Sequence, residues 1–163
     1  MDYIVQSLKP EDTQALGRSL GKILQGGDIL CLEGDLGAGK TALAQGIALE
    51  LGIKEAVTSP TFTLIQEYSA LVQENPIRLV HMDLYRLQYP EEVEVIGVED
   101  AFQTDAICLI EWPEIAKDYL PEQRLNLRIQ GSGEEPRILT FHFGTGNWQD
   151  RLQKVLADYQ ARS

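Results

Sequence analysis

The spacing of apolar residues in the first third of the chain predicts two strands that alternate with two helices. Residues 3–6 alternate weakly and suit an edge strand. Pro10 fits the first turn of a helix, and apolar residues at helical spacing continue until a glycine pair at residues 26–27. A short apolar strand at residues 28–33 leads into a glycine-rich loop, after which a second helix runs to Gly52.

The middle of the chain predicts three more strands. Residues 62–68 and 77–83 have the composition of strands, and a polar stretch containing Asn75 and Pro76 separates them. Residues 106–110 form a continuous apolar run, which is typical of a strand covered on both faces.

The last third predicts a hairpin and a final helix. Apolar residues alternate in residues 125–129 and again in 139–143, and glycines at 131 and 133 provide the turn. An amphipathic helix is expected to begin near Asn147. The predicted class is α/β, a mostly parallel sheet flanked by helices with an antiparallel C-terminal hairpin.

Composition limits the possible functions. A chain of 163 residues is expected to form a single domain, residues 1–163. The net charge of −11 and the lack of a lysine or arginine cluster disfavour direct nucleic-acid binding, so RNA would reach this protein through a partner. We expect a cytoplasmic protein without a membrane partner, because no apolar run approaches about 20 residues and the start lacks a secretory pattern. Cys31 and Cys108 lie in apolar runs and are interpreted as small core residues.

The glycine-rich loop matches the phosphate-binding pattern G-x-x-x-x-G-K-[ST] at every position. Its glycines let backbone N–H groups turn toward phosphate oxygens, and the following helix adds partial positive charge. The lysine suits the β and γ phosphates, and the threonine hydroxyl suits Mg²⁺. We therefore predict a P-loop NTPase-like fold that binds ATP with magnesium. The candidate nucleotide-binding residues are Gly34, Asp35, Leu36, Gly37, Ala38, Gly39, Lys40 and Thr41.

Two strands end in a carboxylate that could complete such a site. The apolar run at 106–110 leads into Glu111, the candidate magnesium ligand together with the loop threonine. The strand at 77–83 ends in Asp83, the candidate for orienting or deprotonating the attacking water. A solvated acid at a strand end is the alternative for each. The hydroxyl-rich residues 58–63 suit either a γ-phosphate sensor or an ordinary loop. Of the two isolated histidines, His142 is interpreted as structural.

Several motifs in order resemble one family. They are GDLGAGKT at residues 34–41, SPTFT at 59–63, HMDLYR at 81–86 and LIEWPE at 109–114. Together they resemble the TsaE (YjeE) family, bacterial ATPases needed for threonylcarbamoyladenosine modification of tRNA. The resemblance spans nearly the whole chain.

This resemblance implies roles for individual residues. Lys40 would bind phosphates and serve catalysis, and Asp83 would serve hydrolysis. Thr41 and Glu111 would hold magnesium. Trp112 would lie beside the nucleotide.

The resemblance also implies one further contact and a set of partners. Thr13 would approach the nucleotide. Two partner proteins, TsaB and TsaD, would form the complex on which the protein acts. Hydrolysis would reset that complex between turnovers rather than form the carbamoyl bond.

Three other functions share the phosphate loop. A small-molecule kinase usually brings arginines over the phosphates, and no arginine-rich insert is present. A GTPase would need Asn-Lys-x-Asp, which residues 147–150 imitate without the lysine. A non-catalytic adaptor would use ATP only to order a binding surface.

The loop lysine provides the first test. We expect Lys40→Ala to abolish or strongly weaken ATP binding, because backbone N–H groups only partly offset the phosphate charge. Calorimetric titration of ATP with Mg²⁺ into both proteins measures the difference. Equal affinities would remove the loop from the nucleotide site.

Overall fold

The computed structural model describes residues 2–35, 38–57, 65–144 and 147–162. Within these ranges it contains one seven-stranded sheet with helices on its faces. The strands are β1 (Asp2–Ser7), β2 (Ile29–Glu33), β3 (Ile65–Val72), β4 (Asn75–Asp83), β5 (Ala106–Glu111), β6 (Leu125–Gln130) and β7 (Arg137–Phe143). The α-helices are α1 (Pro10–Gly21), α2 (Lys40–Glu50), α3 (Glu92–Val95) and α4 (Trp148–Arg162), and two 3₁₀-helices span Val98–Phe102 and Pro113–Tyr119.

The centre of the sheet is parallel and its flanks are antiparallel. The strand order is β1-β7-β6-β2-β5-β4-β3, in which β6, β2, β5 and β4 are parallel neighbours. Apolar clusters cover both faces of the central strands, one on the side of α1, α2 and α4 and the other on the side of α3 and the 3₁₀-helices. The predicted α/β class with a mostly parallel central sheet is confirmed.

Helices α1 and α2 approach so closely that glycine is required at their contact. A Cβ atom on Gly17 would lie 2.3 Å from the Leu43 carbonyl oxygen, and one on Gly46 would lie 2.0 Å from the Gln14 carbonyl oxygen. This contact fixes α2, and with it the loop that precedes α2, against the N-terminal helix. No helix in the described residues is long and apolar enough to cross a membrane.

Two element boundaries differ from the prediction. Helix α1 ends at Gly21 rather than continuing to the glycine pair, because the chain tightens into a turn in which the Ile23 N–H donates to the Leu20 carbonyl. The polar stretch between the middle strands is a second hairpin, which the sequence analysis missed. Gln73 and Glu74 form its turn with φ of 50° and 69°, and Asn75 and Pro76 already belong to β4. Pro76 is tolerated because pairing with β5 begins only at Arg78.

Both cysteines are buried and free, as predicted for core residues. Burial raises the pKa of the Cys31 thiol to about 12, so the thiol is neutral and unreactive in the folded protein.

Candidate functional site

The carboxyl ends of β2, β5 and β4 meet at one edge of the sheet, where parallel α/β sheets bind their ligands. Register places Glu111 beside Leu32 of β2 on one side and beside Asp83 of β4 on the other. Neighbouring strands lie roughly 5 Å apart, so the two acidic residues are adjacent on the same face. The phosphate loop leaves β2 at this edge.

The structure describes the two ends of the phosphate loop, next to β2 and next to α2. Gly34 passes so close to β6 that a Cβ atom would lie 2.7 Å from the Ile129 carbonyl oxygen. Gly39 has a φ of 116°, a conformation that favours glycine, and helix α2 begins at the next residue. Asp35 is exposed, and Thr41 is exposed in the first turn of α2. Leu36 and Gly37, although part of the predicted site, lie outside the described residues.

The Lys40 side chain is buried and folded back onto the loop. Its Nζ donates to the Gly34 carbonyl at 2.7 Å and lies 4.1 Å from the centroid of the Trp112 ring. A cation over an indole face is attracted to the ring quadrupole. Trp112 has a left-handed backbone conformation, with φ of 55°. Its ring packs against the Tyr85 ring, and the two ring centroids are 4.9 Å apart. The lysine and the tryptophan that sequence analysis placed near the nucleotide are therefore in contact.

Glu111 is held by a histidine for which the sequence analysis gave no role. The Glu111 Oε2 and His81 Nε2 atoms are 2.7 Å apart, and the side chains are 4 % and 1 % exposed. His81 precedes Asp83 by two residues, so both project from the same face of β4. No feature near His81 in the sequence identifies this pair, because the partners are 30 residues apart.

Asp83 is half-buried and is oriented by the chain that follows it. Its Oδ1 accepts the Tyr85 backbone N–H at 3.0 Å, which forms an Asx turn. The next residue, Leu84, donates its N–H to the Glu111 carbonyl at 3.1 Å. The ends of β4 and β5 are thus tied together, and one face of the Asp83 carboxylate is fixed.

Thr13 lies against the phosphate loop from helix α1. Its Oγ1 is 2.6 Å from the Ser7 Oγ, and its methyl group lies 3.5 Å from the position of a Cβ atom on Gly39. The side chain is buried. The structure therefore places Thr13 at the glycine immediately before Lys40.

Comparison with known proteins gives one consistent family. The model for "Threonylcarbamoyl adenosine biosynthesis protein TsaE" matches residues 7–139. The chain belongs to the TsaE family. It is 40 % identical to the TsaE protein of Bacillus subtilis, covering 93 % of this chain and 92 % of that protein. It is 44 % identical to the TsaE protein of Streptomyces coelicolor, covering 87 % and 97 %. The crystal structure of Bacillus subtilis YdiB superimposes with a TM-score of 0.80 at 31 % identity, covering 96 % of this chain and 95 % of that one.

The expected magnesium ligands lie at this edge of the TsaE-family site, Glu111 at the end of β5 and Thr41 in the first turn of α2. No group of three histidine, cysteine, aspartate or glutamate side chains in the described residues could hold a metal ion alone. Magnesium at phosphates needs fewer protein ligands, commonly one or two carboxylates, because phosphate oxygens and waters supply the rest. The exposed Thr41 hydroxyl and the Glu111 carboxylate are the donors that would hold it.

An arginine far along the chain also supports the TsaE-family loop. The Arg137 Nε donates to the Ala38 carbonyl at 3.0 Å, while its Nη2 donates to the Gly133 carbonyl in the β6–β7 turn. The sequence offers no local signal for this contact, because 99 residues separate the two partners. This hydrogen bond ties the start of β7 to the loop.

This contact generates a prediction. We expect Arg137→Ala to weaken ATP affinity about tenfold or more, since a hydrogen bond from a charged group contributes about 1.5–3 kcal/mol. Arg124→Ala is the matched control, because Arg124 also donates to a nearby carbonyl, that of Pro121, without touching the loop. Calorimetry with ATP compares them, and an equal effect of both changes would contradict a specific role for Arg137.

Proposed function

We propose that this chain is a magnesium-dependent ATPase that serves threonylcarbamoyladenosine modification of tRNA. The observation that carries the proposal is the pair of neighbouring carboxylates, Glu111 and Asp83, at the sheet edge where the phosphate loop begins. Carboxylates at the carboxyl edge of a parallel sheet are the ligands that hold a divalent cation beside bound phosphates. A nucleotide–magnesium complex supplies that cation.

Phosphate binding is proposed to use the loop and its lysine. Among the described residues, the partners of Lys40 are a neutral carbonyl, that of Gly34, and the face of the Trp112 ring. Both partners are weaker than an anion, so the lysine is expected to turn to the β and γ phosphates when they arrive. The N-terminus of α2 adds partial positive charge at the same place.

The two carboxylates are proposed to have different roles in hydrolysis, one at the metal ion and the other at the attacking water. Thr41 and Glu111 would hold magnesium, which when bound offsets charge on the β and γ phosphates. Asp83 would accept a hydrogen bond from the attacking water and take its proton, because the Asx turn fixes the carboxylate toward the site edge. The sequence contains no arginine-rich insert, which favours water over a small-molecule acceptor.

The biological context is proposed from the relatives and the charge. The TsaE proteins of Bacillus subtilis and Treponema pallidum are named as tRNA threonylcarbamoyladenosine biosynthesis proteins. A net charge of −11 disfavours holding tRNA directly, so we propose a TsaB–TsaD-like complex as the partner that holds it. Residues 58–63, which suit either a γ-phosphate sensor or an ordinary loop, lie outside the described residues. A sensor role for them remains a prediction.

The roles of the acidic residues are separable. We expect Thr41→Ala and Glu111→Ala to lower magnesium-dependent ATP binding together, because both are assigned to one ion. Asp83→Ala should leave ATP binding largely intact and reduce hydrolysis about 10²–10⁴-fold, the contribution of a positioned base. Calorimetry and a phosphate-release assay measure the two effects.

The control for this comparison is Glu114→Ala, since Glu114 is an exposed acid three residues after Glu111. It should change neither quantity. Loss of metal-dependent binding in Asp83→Ala with retention in Glu111→Ala would show that the two roles are reversed.

Partner binding should depend on the nucleotide. We expect a non-hydrolysable ATP analogue to favour docking onto a TsaB–TsaD-like complex relative to ADP, and the partners to raise ATP affinity by the same factor, because coupling is reciprocal. Pull-down with each nucleotide and ATP titration with and without partners test both sides. Lys40→Ala should remove the nucleotide dependence.

Docking that is indifferent to the nucleotide would refute the switch, and a phosphorylated small molecule in a metabolite screen would indicate a kinase.

A further inference from the structure

The hydrogen bond between His81 and Glu111 has a consequence for the metal site. A carboxylate has two oxygens, and the Oε2 of Glu111 is already engaged by the His81 Nε2 at 2.7 Å. Neither side chain is exposed enough to exchange this partner for water. The hydrogen bond occupies one of the two lone pairs of Oε2, so a metal ion that binds Glu111 meets less competition at Oε1.

The tautomer of His81 follows from its surroundings. Nδ1 has no hydrogen-bond partner among the described residues. A buried N–H donor without a partner is costlier than a bare nitrogen lone pair, so the ring hydrogen belongs on Nε2, where Glu111 accepts it. His81 therefore donates its Nε2 hydrogen to the Glu111 carboxylate and fixes the orientation of that carboxylate.

We propose that His81 is the positioning residue of the magnesium site, holding Glu111 as a single-oxygen ligand. This inference rests on the proposed function and deepens it. Partners that orient a metal-ligating carboxylate commonly change metal affinity about 10–100-fold when removed. A carboxylate limited to one oxygen suits the small octahedral Mg²⁺, whereas Ca²⁺ also accepts both oxygens of a free carboxylate. His81 should therefore favour Mg²⁺ over Ca²⁺.

The test measures how much a metal improves nucleotide binding. Affinity for a non-hydrolysable ATP analogue is determined by calorimetry with EDTA, with MgCl₂ and with CaCl₂. The metal enhancement is the ratio of affinity with metal to affinity with EDTA. The EDTA value depends on the phosphate loop and Lys40, so it reports whether the rest of the site is intact.

We expect His81→Leu to reduce the Mg²⁺ enhancement about 10–100-fold, to reduce the Ca²⁺ enhancement less, and to leave the EDTA affinity unchanged. His81→Gln should restore the Mg²⁺ enhancement, because its amide nitrogen lies near the Nε2 position and still donates. His81→Asn should fail to restore it, because its amide ends near the Nδ1 position. His142→Leu is the matched control, since His142 also pairs with a carboxylate, that of Asp2, at 2.5 Å on the exposed surface.

Several outcomes would overturn the inference. An unchanged Mg²⁺ enhancement in His81→Leu would do so, as would a loss of EDTA affinity equal to the loss with magnesium, which marks a general packing role. Should His81→Leu not fold, equal Mg²⁺ enhancements in the Gln and Asn variants would be decisive against it. A wild-type protein without any Mg²⁺ enhancement would instead refute the proposed function itself.

Discussion

The site depends on the parallel placement of β5 between β2 and β4. Because all three strands point the same way, the phosphate loop, Asp83 and Glu111 reach one edge of the sheet. They do so although Asp83 follows Thr41 of the loop by 42 positions and Glu111 follows Asp83 by 28. Register then decides which side chains are neighbours. A shift of one residue in β5 would turn Glu111 to the opposite face, away from α2 and its loop.

Burial of charge at this edge explains the contacts around it. Lys40 and Glu111 are 5 % and 3 % exposed, and an unpaired charge at such depth is costly. Each has a neutral partner that compensates part of this cost: the Gly34 carbonyl and the Trp112 face for the lysine, and His81 for the carboxylate. These partners keep both charges in place without neutralising them. This arrangement of charges is compatible with the magnesium nucleotide that we propose as the ligand.

Distant parts of the chain support the phosphate loop from three sides. Thr13 of α1 packs against Gly39, the β6 backbone approaches Gly34, and Arg137 at the start of β7 holds Ala38. The antiparallel hairpin is therefore part of the site's support as well as an extension of the sheet. Through these hydrogen bonds Arg137 joins the β6–β7 turn, at Gly133, to the phosphate loop, at Ala38.

The sequence alone determined the local features. The glycine pattern at residues 34–41 predicted a phosphate-binding loop, the uninterrupted run before Glu111 predicted a covered strand, and alternation after Leu125 predicted a hairpin. The structure confirms the strand and the hairpin. Each of these features depends on residues close together in the sequence, so the spacing of apolar residues and the positions of glycines predict it. The contacts between side chains far apart in the sequence were decided only by the tertiary structure. The pairing of His81 with Glu111, the contact of Arg137 with Ala38 and the stacking of Trp112 over Lys40 join residues 30 to 99 positions apart. Such contacts leave no periodic pattern, because a strand's own spacing does not specify which strand will lie beside it.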